Sequence, residues 1–327
     1  MENLKKSILL SIRNLHVYYY TPDGVVKAVS GVDLDVYHGE ILALVGESGC
    51  GKTTLGYSIL NLVPPPGRIV SGSIIFEGRD LTRLSRKELD EIRGKEITMI
   101  FQDPMASLNP VFRIGDQMID VVVHKLRVDK AEARKIALNA LKAVRLPNPE
   151  EIMHRYPHEL SGGMLQRVVI AMAISTKPKL VIADEPTTAL DVTIQAAILK
   201  LLVELAREIN TTVILITHNM GVVAEVADRV AVMYAGHIIE VGNVFDVFSK
   251  PLHPYTKGLL SCVPRVDIEV EALPTIGGDV PSLINPPPGC RFHPRCPYAS
   301  EKCRREEPPM IEAEPDHFVK CWLYAKR

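Results

Sequence analysis

Short, almost continuous apolar runs recur along the first 244 residues and alternate with stretches whose apolar residues have helical spacing. Three of these runs are ILALV (41–45), LVIAD (180–184) and TVILIT (212–217), and none of them alternates between apolar and polar residues. Strands that are apolar on both faces are typical of a parallel sheet covered by helices. The pattern therefore predicts an α/β core in which these three runs are buried central strands.

A different pattern interrupts this core. Between Gln117 and Val144 the strand signals stop, and the segment DKAEARKIALNALKAV has the apolar spacing of an amphipathic helix. We therefore expect a helical insertion in the α/β core.

The composition changes again beyond Pro251. Thirteen of the 24 prolines lie between Pro251 and Pro315, and four of the six cysteines lie between Cys290 and Cys321. Proline at this density suppresses helices and central strands, so this tail is expected to need another source of order. We predict two domains, a core at residues 1–250 and a C-terminal extension at residues 251–327.

Composition and charge exclude several classes of protein. Apolar residues make up 46% of the chain, charged residues 24%, and the net charge is −1, which argues against disorder and against a general nucleic-acid binder. The chain has no run of eighteen apolar residues, and the N-terminal segment MENLKKSILLSIRNL has too short an apolar stretch for a secretory signal. We therefore expect a cytoplasmic protein without a membrane span of its own.

The clearest chemical signal is a glycine-rich loop, GESGCGKT at residues 46–53, which directly follows the first buried strand. It matches the pattern G-x-x-x-x-G-K-[ST], in which successive backbone N–H groups converge on phosphate oxygens at the start of a helix. Lys52 would reach the β- and γ-phosphates, and the Thr53 hydroxyl would hold Mg²⁺. The candidate nucleotide-binding residues here are Gly46, Glu47, Ser48, Gly49, Cys50, Gly51, Lys52, Thr53 and Thr54.

A second candidate site is the acidic pair at the end of LVIADEP (180–186). Asp184 would hold Mg²⁺ through water, and Glu185 would orient and deprotonate the water that attacks the γ-phosphate. An acidic pair after a strand is usually only a solvated strand end, but behind a phosphate loop the pair predicts phosphoryl transfer.

The segment LSGGMLQR (160–167) resembles the signature sequence of the ATP-binding cassette (ABC) ATPases. Met164 stands where the family usually has glutamine. Ser161, Gly162 and Gly163 would form a second anion-binding helix N-terminus. The resemblance implies a P-loop NTPase core of ABC type, with a small antiparallel β subdomain and a helical subdomain at about residues 104–165. It also implies that two ATPase domains pack head to tail and that this signature holds the γ-phosphate bound by the partner.

The resemblance extends to four more positions, each with an implied role. Gln102 would touch Mg²⁺ and sense the membrane partner, Asp191 in Ala189-Leu190-Asp191 would reach the other subunit, and His218 would contact the γ-phosphate. Tyr19 would stack on the adenine, with Tyr18 and Tyr20 as alternatives.

Two segments of the tail, HPYTKGLL (253–260) and GCRFHPRCPYASEKC (289–303), resemble the C-terminal extension of ATPases that energise dipeptide, oligopeptide and nickel importers. This implies ATP hydrolysis at the cytoplasmic face of the membrane, with a related, non-identical ATPase, two permease subunits and an extracytoplasmic solute-binding protein as partners. Nickel or another small solute is an alternative cargo. A soluble ABC ATPase acting on ribosomes, DNA or cluster assembly is an alternative of another class.

Cys290, Cys296, Cys303 and Cys321 are separated by five, six and seventeen residues. Four thiolates suggest a 4Fe–4S cluster or Zn²⁺, and the Cys296-Pro297 step favours the cluster. Disulfides and free thiols remain alternatives. A metal centre would give the proline-rich extension the order that its own pattern does not predict.

Overall fold

The structure, a computed structural model, describes residues 7–187, 191–262 and 276–325, without the side chains of residues 192 and 193. The chain divides into two compact units. The first unit comprises the described residues within Met1–Val36, Leu42–Thr82 and Ile216–Arg327, and the second comprises those within Tyr37–Ile41 and Arg83–Leu215. The phosphate loop and the C-terminal extension therefore belong to the same unit.

One sheet of the first unit is antiparallel, with strand order β2-β1-β4-β5. Its strands are β1 (Ile8–Thr21), β2 (Gly24–Tyr37), β4 (Gly67–Phe76) and β5 (Arg79–Asp80). Strands β1 and β4 pair from Leu10 opposite Phe76 to Tyr19 opposite Gly67. This is the small antiparallel β subdomain that we predicted.

The other strands of the first unit follow the order β11-β12-β10-β9-β3. They are β3 (Ile41–Val45), β9 (Arg229–Tyr234), β10 (His237–Asn243), β11 (Ile311–Glu314) and β12 (His317–Val319). Strands β3 and β9 are parallel, whereas the pairs that involve β10 and β12 are antiparallel. The helices of this unit are α1 (Lys52–Ile59), α8 (Met220–Val226), α9 (Val244–Ser249), α10 (Pro254–Ser261) and α11 (Glu301–Arg305).

The second unit contains three strands in the order β8-β7-β6 and is rich in helices. The strands are β6 (Ile97–Ile100), β7 (Leu180–Asp184) and β8 (Thr212–Ile216). The helices are α2 (Arg86–Ile92), α3 (Ile114–Leu126), α4 (Lys130–Ala143), α5 (Pro149–His154), α6 (Gly162–Ile174) and α7 (Val192–Glu208).

The local predictions for the core are confirmed. Every residue of β3, β7 and β8 is buried, as the uniformly apolar runs indicate. The predicted amphipathic helix is α4, which begins after Asp129; the Asp129 carboxylate accepts a hydrogen bond from the N–H of Glu132 at 2.9 Å. This contact satisfies one of the N–H groups that a helix start leaves without a partner.

The C-terminal extension is more regular than its proline content predicts. Strand β12 pairs with both β10 and β11, so it lies in the interior of the sheet; Val319 at its end is opposite Glu240 of β10 and completely buried. Phe292 and Tyr255 of the extension are buried against β9 residues such as Tyr234. The extension therefore has apolar packing on the core as one source of its order, which its composition does not predict. The prolines lie outside the two strands and are tolerated at the first turn of α10.

None of the helices that the structure describes combines the length and the apolar composition that a membrane span needs.

Candidate functional site

The phosphate loop follows β3 at once, and its backbone requires glycine at two positions. Gly46 has φ of +153° and Gly51 has φ of +110°. A Cβ atom added at Gly46 would lie 2.2 Å from the carbonyl oxygen of Met233, and one added at Gly51 would lie 2.2 Å from that of Ala28. No side chain fits at either position, so the loop lies directly on its neighbouring backbone.

Lys52 begins helix α1 and directs its ammonium group into the loop. Its Nζ atom donates to the carbonyl oxygens of Gly46 at 2.8 Å and of Glu47 at 3.0 Å, and the residue is only 5% exposed. The positive charge is thus held where the phosphates are expected. Burial raises the pKa of the Cys50 thiol, which favours its protonated form in the loop. Ser48, Gly49 and Thr53 are exposed.

The three adjacent tyrosines of β1 have different partners. The hydroxyl of Tyr19 lies 3.3 Å from Oγ1 of Thr54 in helix α1. The hydroxyl of Tyr18 lies 3.1 Å from Nδ1 of His16, and the ring of Tyr20 is covered by the Arg68 guanidinium at 4.3 Å. Of the three, Tyr19 is therefore the one that contacts the helix after the phosphate loop.

His218 lies two residues after strand β8, in the same unit as the phosphate loop. The N–H of the preceding Thr217 donates to the carbonyl oxygen of Leu44 at 3.3 Å, which places this turn beside the end of β3. The His218 side chain is exposed.

The acidic pair of the second unit has contrasting environments. Asp184, the last residue of β7, is 1% exposed. Glu185 has a left-handed backbone with φ of +42°, a conformation that is costly for a residue with a side chain and is typical of functional sites. The side-chain amide of Gln102 donates to Oε2 of Glu185 at 3.1 Å. The structure thus brings together Gln102 and Glu185 from segments 83 residues apart.

The signature segment begins helix α6. The Ser161 hydroxyl accepts from the N–H of Met164 at 3.4 Å, and Ser161 and Gly162 are exposed. A Cβ atom added at Gly163 would lie 3.4 Å from the Ile194 side chain. The carboxylate of Asp191 accepts from the N–H of Ile194 at 3.0 Å and so caps helix α7. Ala189 and Leu190 lie outside the described residues.

Among the residues that the structure describes, no metal-binding group of side chains supports the predicted metal centre at the four cysteines of the extension. Within the ranges that the structure describes, no group of three or more His, Cys, Asp or Glu side chains is arranged so that it could hold a metal ion. Burial raises the pKa of Cys290 and of Cys321 to about 11, and the nearby thiols contribute to this rise. All four are free thiols; Cys303 and Cys290 are joined by a backbone hydrogen bond of 2.9 Å.

Sequence reasoning missed the residues that hold Glu47. The Glu47 carboxylate pairs with Arg295, with Nη1–Oε2 and Nη2–Oε1 distances of 2.9 and 3.1 Å, and the Glu47 N–H donates to the Tyr255 hydroxyl at 2.9 Å. Residue 47 occupies a position at which the phosphate-loop pattern accepts any amino acid. Its ion-pair partner lies 248 residues further along the chain. No local signal in the sequence points to this pairing.

Two family models match the chain. The model described as ABC transporter matches residues 29–188, which include the phosphate loop, the signature segment and the acidic pair. The model described as oligopeptide/dipeptide transporter, C-terminal region, matches residues 239–303.

Relatives and solved structures agree with these matches. The chain is 51% identical to the dipeptide transport ATP-binding protein DppD of Bacillus subtilis, over 98% of this chain and 96% of that protein. It is 49% identical to the oligopeptide transport ATP-binding protein OppD of Escherichia coli, over 96% and 93% of the two chains. A dimeric, post-hydrolysis structure of the ATP-binding cassette MJ0796 with ADP and phosphate is 28% identical, with a TM-score of 0.65, over 72% of this chain and 98% of that one.

The fold and the site thus define an ATP-hydrolysing enzyme of the ATP-binding cassette type. More narrowly, the chain belongs to the family of ATP-binding subunits found in dipeptide and oligopeptide ABC transporters.

Proposed function

We propose that the chain hydrolyses ATP to drive the import of dipeptides or oligopeptides across the cytoplasmic membrane. The observation that carries this proposal is the match of residues 239–303 to the oligopeptide/dipeptide transporter C-terminal region. The names of its relatives, which are dipeptide and oligopeptide transport proteins, support peptide over nickel as the solute. They equally favour a transporter subunit over a soluble ABC ATPase.

Each site residue has a proposed role in hydrolysis. The phosphate loop and Lys52 would bind the β- and γ-phosphates, while Thr53, Gln102 and Asp184 would hold Mg²⁺, which would neutralise charge on the phosphates. Tyr19 would stack on the adenine; its contact with Thr54 supports this choice among the three tyrosines.

Glu185 is proposed as the general base that takes a proton from the attacking water. The Gln102 amide, which donates to Oε2 of Glu185, would keep the carboxylate oriented. His218 is proposed to contact the γ-phosphate, and the backbone bond of Thr217 to Leu44 supports its location beside the loop.

We further propose that two ATPase subunits cooperate, with Ser161, Gly162 and Gly163 of one serving the ATP of the other. Exposure of Ser161 and Gly162 at a helix N-terminus supports this role, because their hydrogen-bonding groups are accessible to a second subunit. The solved relative MJ0796 is dimeric. The remaining proposed partners are a related ATPase, two permease subunits that hold this chain at the cytoplasmic face of the membrane, and an extracytoplasmic solute-binding protein.

Uptake of a labelled dipeptide tests the proposed function. Cells that express the chain with the transport proteins encoded beside it should accumulate the peptide, and Glu185→Gln should abolish accumulation. If the same cells took up nickel but no peptide, and this uptake depended on Glu185, nickel would replace peptide as the proposed solute. ATP hydrolysis that needs no membrane subunit and supports neither uptake would refute the transport role.

Mixed subunits test the sharing of sites. Ser161→Arg and Lys52→Ala should each block hydrolysis, whereas a mixture of the two variants in a homodimeric test system should recover activity at one intact composite site. A mixture that never exceeds the separate variants would contradict the proposed sharing.

A 4Fe–4S cluster at Cys290, Cys296, Cys303 and Cys321, with Zn²⁺ as the alternative, remains a separate proposal. Its support is the proximity of four free thiols within one small region, close enough to influence one another's pKa. Anaerobically purified protein should be brown and hold about four irons per chain. Stoichiometric zinc without iron would replace the cluster by a zinc site, and metal-free protein would refute both.

A further inference from the structure

Arg295, in the cysteine-containing part of the extension, makes a two-point ion pair with the phosphate loop. Its Nη1 atom lies 2.9 Å from Oε2 of Glu47, and its Nη2 atom lies 3.1 Å from Oε1. The Arg295 side chain is only 4% exposed. Because a planar guanidinium that meets a carboxylate at two points is both strong and directional, the pair fixes the orientation of the Glu47 side chain.

The other donors of Arg295 are also bonded, which makes the arginine a rigid support. Nε donates to the carbonyl oxygen of Gly277 at 2.9 Å, and Nη2 donates to that of Ile276 at 3.1 Å. Nη1 donates to the Tyr234 hydroxyl at 3.4 Å. Together with the two bonds to Glu47, these contacts use all five N–H groups of the guanidinium.

The backbone of Glu47 is held from the extension as well. Its N–H donates to the hydroxyl of Tyr255 at 2.9 Å. The Tyr255 ring is completely buried, with its centre 4.6 Å from that of Tyr234 and 5.5 Å from that of Phe292. Helix α10, which carries Tyr255, therefore determines where this N–H points.

The carbonyl group of the same residue positions the phosphate-binding lysine. The Lys52 ammonium donates to the Glu47 carbonyl oxygen at 3.0 Å as well as to that of Gly46. A displacement of Glu47 would therefore move one of the acceptors that hold Lys52. Two consecutive contacts, from Arg295 to Glu47 and from Glu47 to Lys52, thus connect the extension to the charge that binds phosphate.

A second arginine of the extension acts on the far end of the loop. Arg291 donates through Nη1 to the carbonyl oxygen of Ala235. The N–H of the next residue, Gly236, donates to the carbonyl oxygen of Cys50 at 2.8 Å. Residues 291–295 thus support both the second and the fifth residue of the phosphate loop.

We propose that Arg295 is a positioning residue for ATP, and that the C-terminal extension sets nucleotide affinity by holding the phosphate loop through Glu47. The proposal rests on the assignment of residues 46–53 as the ATP-binding loop. A purely structural ion pair would affect stability alone, whereas a positioning pair changes the binding of nucleotide in a chain that is still folded.

The test compares the full chain carrying Arg295→Gln, Glu47→Gln or both, with steady-state ATP hydrolysis and binding of a fluorescent ATP analogue as readouts. Arg295→Gln removes charge-assisted bonds, so we expect a rise of about tenfold in KM and in Kd, with kcat within about twofold of the wild type. The double variant should be no worse than the single ones, because Arg295 acts through Glu47. Arg295→Lys, which keeps the charge without the two-point geometry, should lie between the wild type and Arg295→Gln.

The matched control is Arg305→Gln, which removes an exposed arginine of the same extension that pairs only with the exposed Glu301 in the contacts described here. It should leave KM and Kd unchanged. A KM for Arg295→Gln equal to that of this control would overturn the proposal, as would effects of Arg295→Gln and Glu47→Gln that multiply in the double variant.

Tyr255→Phe is a second variant that removes only the hydroxyl, in case Arg295→Gln does not fold. Loss of one neutral hydrogen bond should raise KM by about threefold, and an unchanged KM would count against the proposal. Failure of the wild-type chain to bind or hydrolyse ATP would instead refute the assignment of the loop.

Discussion

Glu240 joins strand β10 to the C-terminal extension, and Glu240→Gln tests how strongly the two are attached. The carboxylate is completely buried and accepts three hydrogen bonds of 2.8 Å each. The N–H of Leu252 and Nε2 of His317 donate to Oε1, and the N–H of His253 donates to Oε2. These donors come from both ends of the extension, so the Glu240 side chain holds both the start of the extension and its last strand, β12.

A glutamine amide cannot satisfy the same three donors. If the amide oxygen takes the place of Oε1, the NH₂ group faces the N–H of His253, which is left without an acceptor. In the opposite orientation the NH₂ group faces the N–H of Leu252, which then lacks an acceptor. One buried unsatisfied donor costs about 1–3 kcal/mol. The other two bonds lose about half their strength with a neutral acceptor, so we expect a total loss of about 3 kcal/mol.

Denaturant unfolding of the full chain measures this loss, and limited proteolysis shows whether the cleavage sites lie beyond residue 250. The control is Glu301→Gln, an exposed carboxylate of the same extension that pairs with Arg305; its effect should stay within about 0.5 kcal/mol. A loss for Glu240→Gln below about 1 kcal/mol, or equal to that of the control, would refute the reasoning. Cleavage in the core instead of the extension would refute the predicted location.

Three further predictions address the site and the pH dependence of stability. Glu185→Gln should keep ATP affinity while hydrolysis falls by at least about a hundredfold, because the general base is lost; near-wild-type turnover would contradict this. Gly46→Ala should lose nucleotide binding, because its Cβ would lie 2.2 Å from a backbone carbonyl oxygen. It should also lower the thermal unfolding midpoint more than the control Gly49→Ala, whose Cβ meets nothing within 4 Å. Burial lowers the pKa of His253 from 6.5 to about 4, so His253 takes up a proton at a higher pH in the unfolded chain than in the folded one. The free energy of unfolding should therefore drop by up to about 3 kcal/mol as the pH falls from 6.5 to about 4. His253→Asn, which keeps an acceptor for the helix cap, should reduce this drop, whereas exposed His124→Asn should not.

The core of the fold was predictable because its signals are local. ILALV at residues 41–45 is apolar at every position, and the structure buries all five residues. The glycines of the phosphate loop indicate positions where the backbone adopts a conformation that other residues rarely adopt, as at Gly46 and Gly51. These requirements depend on the chain within a few residues of each position, so sequence reasoning finds them.

The extension shows where this reasoning fails. Its prolines and cysteines predicted a tail that a metal centre would order, and they gave no sign that Phe292 is buried against the core or that β12 extends the sheet from β10. A tail that packs on an existing apolar face needs no periodic pattern of its own, because the other half of the interface lies elsewhere in the chain. Composition alone therefore could not predict this packing.

The support of the phosphate loop depended on tertiary structure alone. Glu47 and Arg295 are 248 residues apart. Each is a single charged residue, and the sequence around it, a phosphate-loop motif at Glu47 and a proline- and cysteine-rich segment at Arg295, gives no sign of the other. Glycine and apolar spacing encode local geometry, but an ion pair needs only one residue at each end and leaves no periodicity in either. Only the folded chain, which brings α10 and the cysteine-containing segment against the loop, decides that Glu47 pairs with Arg295 and donates to Tyr255.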